Sequence, residues 1–143
     1  MQITIRIPSV AGYASAKLAA WLDRSAYGEP KDARDLRLAL WWYAESAATA
    51  DRLYDTEEGN AILVAEDFDV PLASAHLLGA DIAGVIGRAR LSELLERCPG
   101  DDHMLTANLG DATHDTRELV RRGELISALT RGLSTIDGRL PRM

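Results

Sequence analysis

The chain has a single cysteine, Cys98, which excludes an intramolecular disulfide framework and suits a reducing compartment. No uninterrupted apolar run approaches the roughly 20 residues that span a bilayer, and no basic-then-apolar leader opens the sequence. A soluble, cytoplasmic protein with no membrane partner is therefore expected. His-Glu-x-x-His, Gly-x-Ser-x-Gly and Gly-rich phosphate-cradling motifs are missing, as are repeats and low-complexity tracts. A surplus of positive charge is missing too: the formal net charge is -6. Nearly all of the excess sits in residues 56–70, which hold five acids and no base, whereas the flanking segments are close to balanced. An acidic body argues against broad non-specific nucleic-acid binding more than against a small reading surface.

What the chain does have is 143 residues with 47% hydrophobic content, enough to bury one core. Residues 1–8 alternate, with Ile3, Ile5 and Ile7 on one face and Gln2, Thr4 and Arg6 on the other, before Pro8 stops the pattern. That is the period of a half-buried strand. Ser9 can cap a helix running to about Ser25, with Tyr13, Leu18, Trp21 and Leu22 as its apolar contacts. Gly28 and Pro30 break it, and Asp32 can cap a longer helix that ends near Asp55. Leu36, Leu40, Tyr43, Ala47, Ala50 and Tyr54 recur along that helix at spacings of four and three, as one stripe. Leu38 and Trp41 lie off this stripe among charged residues, and such a second apolar patch needs a cover, either the rest of the domain or a partner.

A second short strand is expected at residues 61–65, inside the acidic connector 56–70. Beyond Pro71 the pattern turns helical, but Gly79, Gly84 and Gly87 predict a short helix over 72–78, a turn, and a second helix from about Asp81 to Cys98. The Ala, Gly and Val spacing of residues 75–85 also fits a helix-turn-helix, although plain core packing is the favoured account. After a loop or short helical turn over 103–112, Asp115 and Glu118 form a capping box for a last helix. Leu119, Ile126, Leu129, Leu133 and Ile136 supply its apolar face. The expected fold is α+β, predominantly α-helical: an N-terminal β-strand followed by a helical bundle. Its parts are a strand-helix-helix module over 1–55, the connector 56–70 and a helical part over 71–143.

Gln2, Thr4, Arg6 and Pro8, followed by two helices of which the second opens Ala33-Arg-Asp-Leu-Arg-Leu-Ala-Leu, make the N-terminal third resemble the ribbon-helix-helix DNA-binding family. The resemblance implies a homodimer whose paired strands enter the major groove, with Gln2, Thr4 and Arg6 contacting bases. It also implies that Ile3, Ile5 and Ile7 join the dimer core, and that Asp32 and Ala33, at the start of the second helix, anchor a phosphate. The function so implied is a small non-enzymatic regulator of the repressor or antitoxin type.

Two other readings stay open. The acidic segment with Phe68, together with Leu38 and Trp41, suits an inhibitor or adaptor that docks on a basic protein surface, of the kind phages and mobile elements carry. The polar cluster Asp101, Asp102, His103, Asp111, His114 and Asp115 suits a small metal-dependent enzyme, although Asp-rich turns and caps account for most of these residues. No cofactor is implied. His76, on an apolar helix, and Cys98, at a helix end, read as structural residues.

Overall fold

The computed structural model describes residues 9–24, 31–97, 102–111 and 113–134. They form seven helices: α1 (Val10–Arg24), α2 (Lys31–Glu45), α3 (Ala47–Asp55), α4 (Glu57–Ala65), α5 (Val70–Arg97), α6 (Asp102–Asn108) and α7 (Thr116–Leu133). No strand occurs among the described residues, so the expected α+β class gives way to an all-α fold. The strand read at residues 2–7 lies outside them. The strand read at 61–65 is overturned, because those residues are the second half of α4.

Local chemistry accounts for the helix starts. Ser9 caps α1 as expected, its Oγ accepting the Gly12 N–H at 3.0 Å. Ser46 splits the expected 32–55 helix in two: it leaves helical geometry (φ -76, ψ 126), and its side chain accepts from the Thr49 N–H. A serine hydroxyl offers the backbone this alternative to the helical ladder. The break shifts the apolar face. Leu36 and Leu40 are buried as the stripe predicts, but Thr49 and Leu53 replace Ala47 and Ala50 inside, and Tyr54 is exposed. Thr56 then caps α4 by accepting the Gly59 N–H at 2.9 Å, and Glu57 and Glu58 sit in the first turn, where the helix dipole favours negative charge.

Helix α5 is the axis of the fold. It is continuous through Gly79 and Gly84, so neither the predicted turn nor the helix-turn-helix forms, and it kinks at Gly87 (φ 78, ψ 166). By length and composition, Val70–Gly87 could cross a membrane, although the sequence suggested no such stretch. Its apolar character is used inside the protein. Ala75, Leu78 and Ile82 join Leu18 and Trp21 of α1, Leu36 and Leu40 of α2, Leu105 of α6, and Ile126, Leu129 and Leu133 of α7 in the main core. Leu53, Ile62 and Leu63 pack on Ala73 and Leu77 as a smaller cluster.

Of the three glycines in α5, Gly79 serves a close helix approach rather than a break. A Cβ on Gly79 would lie 2.2 Å from the Leu129 carbonyl oxygen, and one on Gly132 of α7 1.9 Å from that of His76. The α5 and α7 backbones touch at these two positions, and only glycine permits such an approach. Arg122, buried on α7, fixes the α6 end by donating to the carbonyl oxygens of Ala107 (3.2 Å) and Asp111 (2.8 Å) and to Glu118 Oε1 (3.1 Å). On the opposite side, Asp81 accepts from Tyr43 Oη at 2.6 Å and from Arg52 at 2.7 and 2.9 Å, tying α2, α3 and α5 together. Burial, followed by the hydrogen bond to Asp81, pushes the Tyr43 hydroxyl pKa well up.

Candidate functional site

The turn from α4 to α5 builds one wall of a groove. Helix α4 ends in a Schellman motif, with the Phe68 N–H donating to the Leu63 carbonyl at 2.7 Å and the Asp67 N–H to that of Val64 at 3.2 Å. The motif needs a left-handed residue after the cap, a place usually held by glycine. Here Asp67 (φ 54) takes it and Phe68 (φ 60) follows in the same region. Asp69 then caps α5, accepting the Leu72 N–H at 3.1 Å.

Between this turn, α6 and α7 lies a cavity of about 1020 Å³. Leu72, Leu119, Val120, Ala107 and Gly123 give it an apolar lining, with Thr106, Thr116 and Ser127 as hydroxyl groups. Its charged lining is Glu66, Asp67, Glu124 and Arg131. Volume and composition fall within the range of natural ligand or peptide sites.

Glu66 organises the deep end of the groove. Its carboxylate is buried, with Arg131 Nε donating to Oε2 at 2.9 Å and Nη2 to Oε1 at 2.5 Å. His76 Nδ1 donates to Oε2 at 2.8 Å, while its Nε2 is buried with no hydrogen-bond partner. Burial raises the Glu66 pKa, but the hydrogen bonds from Arg131 and His76 outweigh it and hold the carboxyl below its ordinary value. Outside the lining, Arg121 of α7 grips Asp69 through two contacts of 2.9 Å and reaches Glu124 at 3.3 Å. The Arg121 hydrogen bond holds the Asp69 pKa down. Two of the five acids in segment 56–70, Glu66 and Asp69, are thus engaged with arginines of α7.

A separate apolar patch lies on α2. Leu38 is 41% exposed and Trp41 57%, so the rest of the described chain does not cover the second face that the sequence singled out. Trp42 stands beside them, its ring tilted against Tyr13 with centroids 5.8 Å apart. Phe68 is 67% exposed on the strained turn, next to the groove rather than lining it.

The remaining sequence-derived site residues do not gather. Gln2, Ile3, Thr4, Ile5, Arg6 and Ile7 lie outside the described residues. Asp32 and Ala33 are 3% and 0% exposed inside the α1–α2 contact, with Lys17 Nζ 4.0 Å from Asp32, rather than open to a phosphate. In the polar cluster, Asp101 and the side chains of Asp102 and His103 are outside the description. Asp111 lends its backbone carbonyl to Arg122, His114 is exposed, and Asp115 caps α7 by accepting the Arg117 N–H at 2.9 Å. Among the described residues, no three His, Cys, Asp or Glu side chains stand close enough to hold a metal ion. Sequence reasoning missed Glu66, Arg131 and the groove, because Glu66 and Arg131 lie 65 positions apart and no local pattern links them. No family model, no curated protein and no solved structure matches the chain.

Proposed function

We propose that the chain is a non-catalytic protein-binding module, of the adaptor or blocking kind, whose groove takes a short amphipathic segment bearing basic and apolar side chains. One observation carries this reading: an apolar-lined cavity of about 1020 Å³ is edged by three carboxylates against one guanidinium. Glu66 and Arg131 neutralise one another, and Arg121 is shared between Asp69 and Glu124, so Asp67 and the partly neutralised Asp69–Arg121–Glu124 cluster carry the excess negative charge beside the groove. Leu72, Leu119 and Val120 offer apolar contact, and the hydroxyls of Thr106, Thr116 and Ser127 offer hydrogen bonds. Apolar anchors in a groove with complementary charge at the rim are the ordinary means of helix or peptide capture. The acidic balance of the whole chain, -6, would speed the approach of a basic partner.

The test is a titration followed by amide NMR, using an amphipathic peptide of about 14 residues built from Leu and Lys, and a control in which Glu replaces Lys. The Lys peptide should shift the amides of Leu72, Leu119, Val120 and Gly123, and should bind more weakly at high salt. The combined Asp67→Lys, Glu124→Lys variant should lose about tenfold in affinity, since each rim charge contributes only a fraction of a kcal/mol and both are reversed. Equal binding of the two peptides, or shifts confined to α2, would remove the groove from the reading. Specific retention on duplex DNA without any peptide binding would replace it.

A further inference from the structure

The exposed line along α2 carries an inference independent of the groove. Arg34, Leu38, Trp41 and Glu45 follow at intervals of four, three and four, which places them in one row on the helix surface. All four are exposed, and neither Arg34 nor Glu45 forms an ion pair with any described residue. The row therefore reads cation, leucine, tryptophan, anion.

Such an order is complementary to itself when reversed. If a second α2 lies antiparallel across the first, with a two-fold axis passing midway between Leu38 and Trp41, each Leu38 meets the other Trp41. Each Arg34 then meets the other Glu45. A parallel arrangement would set like charges against each other, and a register shifted by one turn would separate Arg34 from Glu45. We propose that this row is the interface of a homodimer, with a second copy of the chain as the occupant that covers Leu38 and Trp41. Self-complementarity under a two-fold axis is what an isologous contact requires. A central Trp in an apolar strip with charge pairs at both ends matches the usual anatomy of a small interface. Trp42, held against Tyr13, stands at the edge of the strip and widens it. Paired in this way, two copies present two grooves.

Charge reversal in sedimentation equilibrium tests the register, with circular dichroism to confirm that each variant is folded. The parent should dimerise with a dissociation constant in the micromolar range, as expected for a contact only about three helical turns long. Arg34→Glu alone and Glu45→Arg alone should each weaken the dimer at least about fivefold, because like charges then face each other twice per dimer. The combined Arg34→Glu, Glu45→Arg protein should return to within about twofold of the parent, since the pair is restored in reverse. Trp41→Ala should leave a monomer at every concentration examined. The proposal is overturned if the parent stays monomeric to roughly 500 μM, well above the expected constant. It is equally overturned if the double reversal is as weak as the single ones, or if Trp41→Ala dimerises like the parent.

Discussion

Two alanine substitutions on one helix, nine residues apart, should have opposite effects. On α7, a Cβ at Gly132 would stand 1.9 Å from the His76 carbonyl oxygen and 2.9 Å from the Ala80 nitrogen, whereas one at Gly123 meets nothing within 4 Å. Both glycines are helical, so both substitutions gain about 0.8–1.0 kcal/mol of helix propensity. At Gly123 that gain stands alone, and Gly123→Ala should stabilise the protein by about 0.8 kcal/mol. At Gly132 the obstacle is backbone, which no rotamer change can move aside. Restoring ordinary contact requires α5 and α7 to part by roughly 1 Å, in an interior that tolerates little looseness. The side chains that would lose contact include Leu78, Ile82, Ile126, Leu129 and Leu133. Overpacking of this kind costs about 3 kcal/mol at the upper end of its usual range, so Gly132→Ala should lose about 2 kcal/mol net. Urea unfolding followed by circular dichroism reads both free energies. In thermal melts the two variants should fall on either side of the parent, separated by roughly 8 °C for a domain of this size. If Gly132→Ala proves as stable as Gly123→Ala, the close α5–α7 crossing described above is wrong.

Asp67→Gly should stabilise the fold by about 0.5–1 kcal/mol, because glycine adopts the left-handed conformation at the α4 cap without steric cost. The same change removes a rim carboxylate and should weaken the Lys/Leu peptide, so stability and binding move in opposite directions in paired melting and titration measurements. Acid should destabilise the protein through Glu66 and Asp69. Their pKa values are lowered in the folded state, so the stability they contribute is complete above their ordinary values of 4.5 and 3.8 and is lost as pH falls below these. Unfolding free energies measured between about pH 7 and about pH 3 should fall most steeply below about pH 4.5, and Glu66→Gln should flatten that descent. Arg122→Met should cost about 2–3 kcal/mol by leaving the Ala107 and Asp111 carbonyls without their charged donor. Hydrogen exchange should then accelerate in α6 before the rest of the fold; uniform acceleration across all helices would contradict the role given to Arg122.

Much of the helical skeleton could be read locally. The caps at Ser9 and Asp115, the start of α2 near Asp32, and the buried positions Leu18, Trp21, Leu36, Leu40, Ile126, Leu129 and Leu133 follow from short-range hydrogen bonding and from a period near 3.6 residues. The off-stripe register of Leu38 and Trp41 was also visible, since it is a property of α2 alone, whereas their exposure was not, since cover is a tertiary matter. Short-range reasoning failed where two local preferences compete. Residues 61–65 have an apolar run that suits a strand, but Thr56, Glu57 and Glu58 supply a helix start, and packing of Ile62 and Leu63 on α5 favours the helix.

The caps at Ser9 and Asp115 and most of the buried positions of α1, α2 and α7 were thus inscribed in the sequence, because each depends on residues within a turn or two of one another. Tertiary structure alone decided that α5 runs unbroken through Gly79 and Gly84, that Gly79 and Gly132 meet at a crossing, and that Glu66 joins His76 and Arg131 beside a groove. These outcomes depend on side chains and backbones brought together from distant parts of the chain. Their energies arise from close packing and buried charge, which exist only once the helices are assembled.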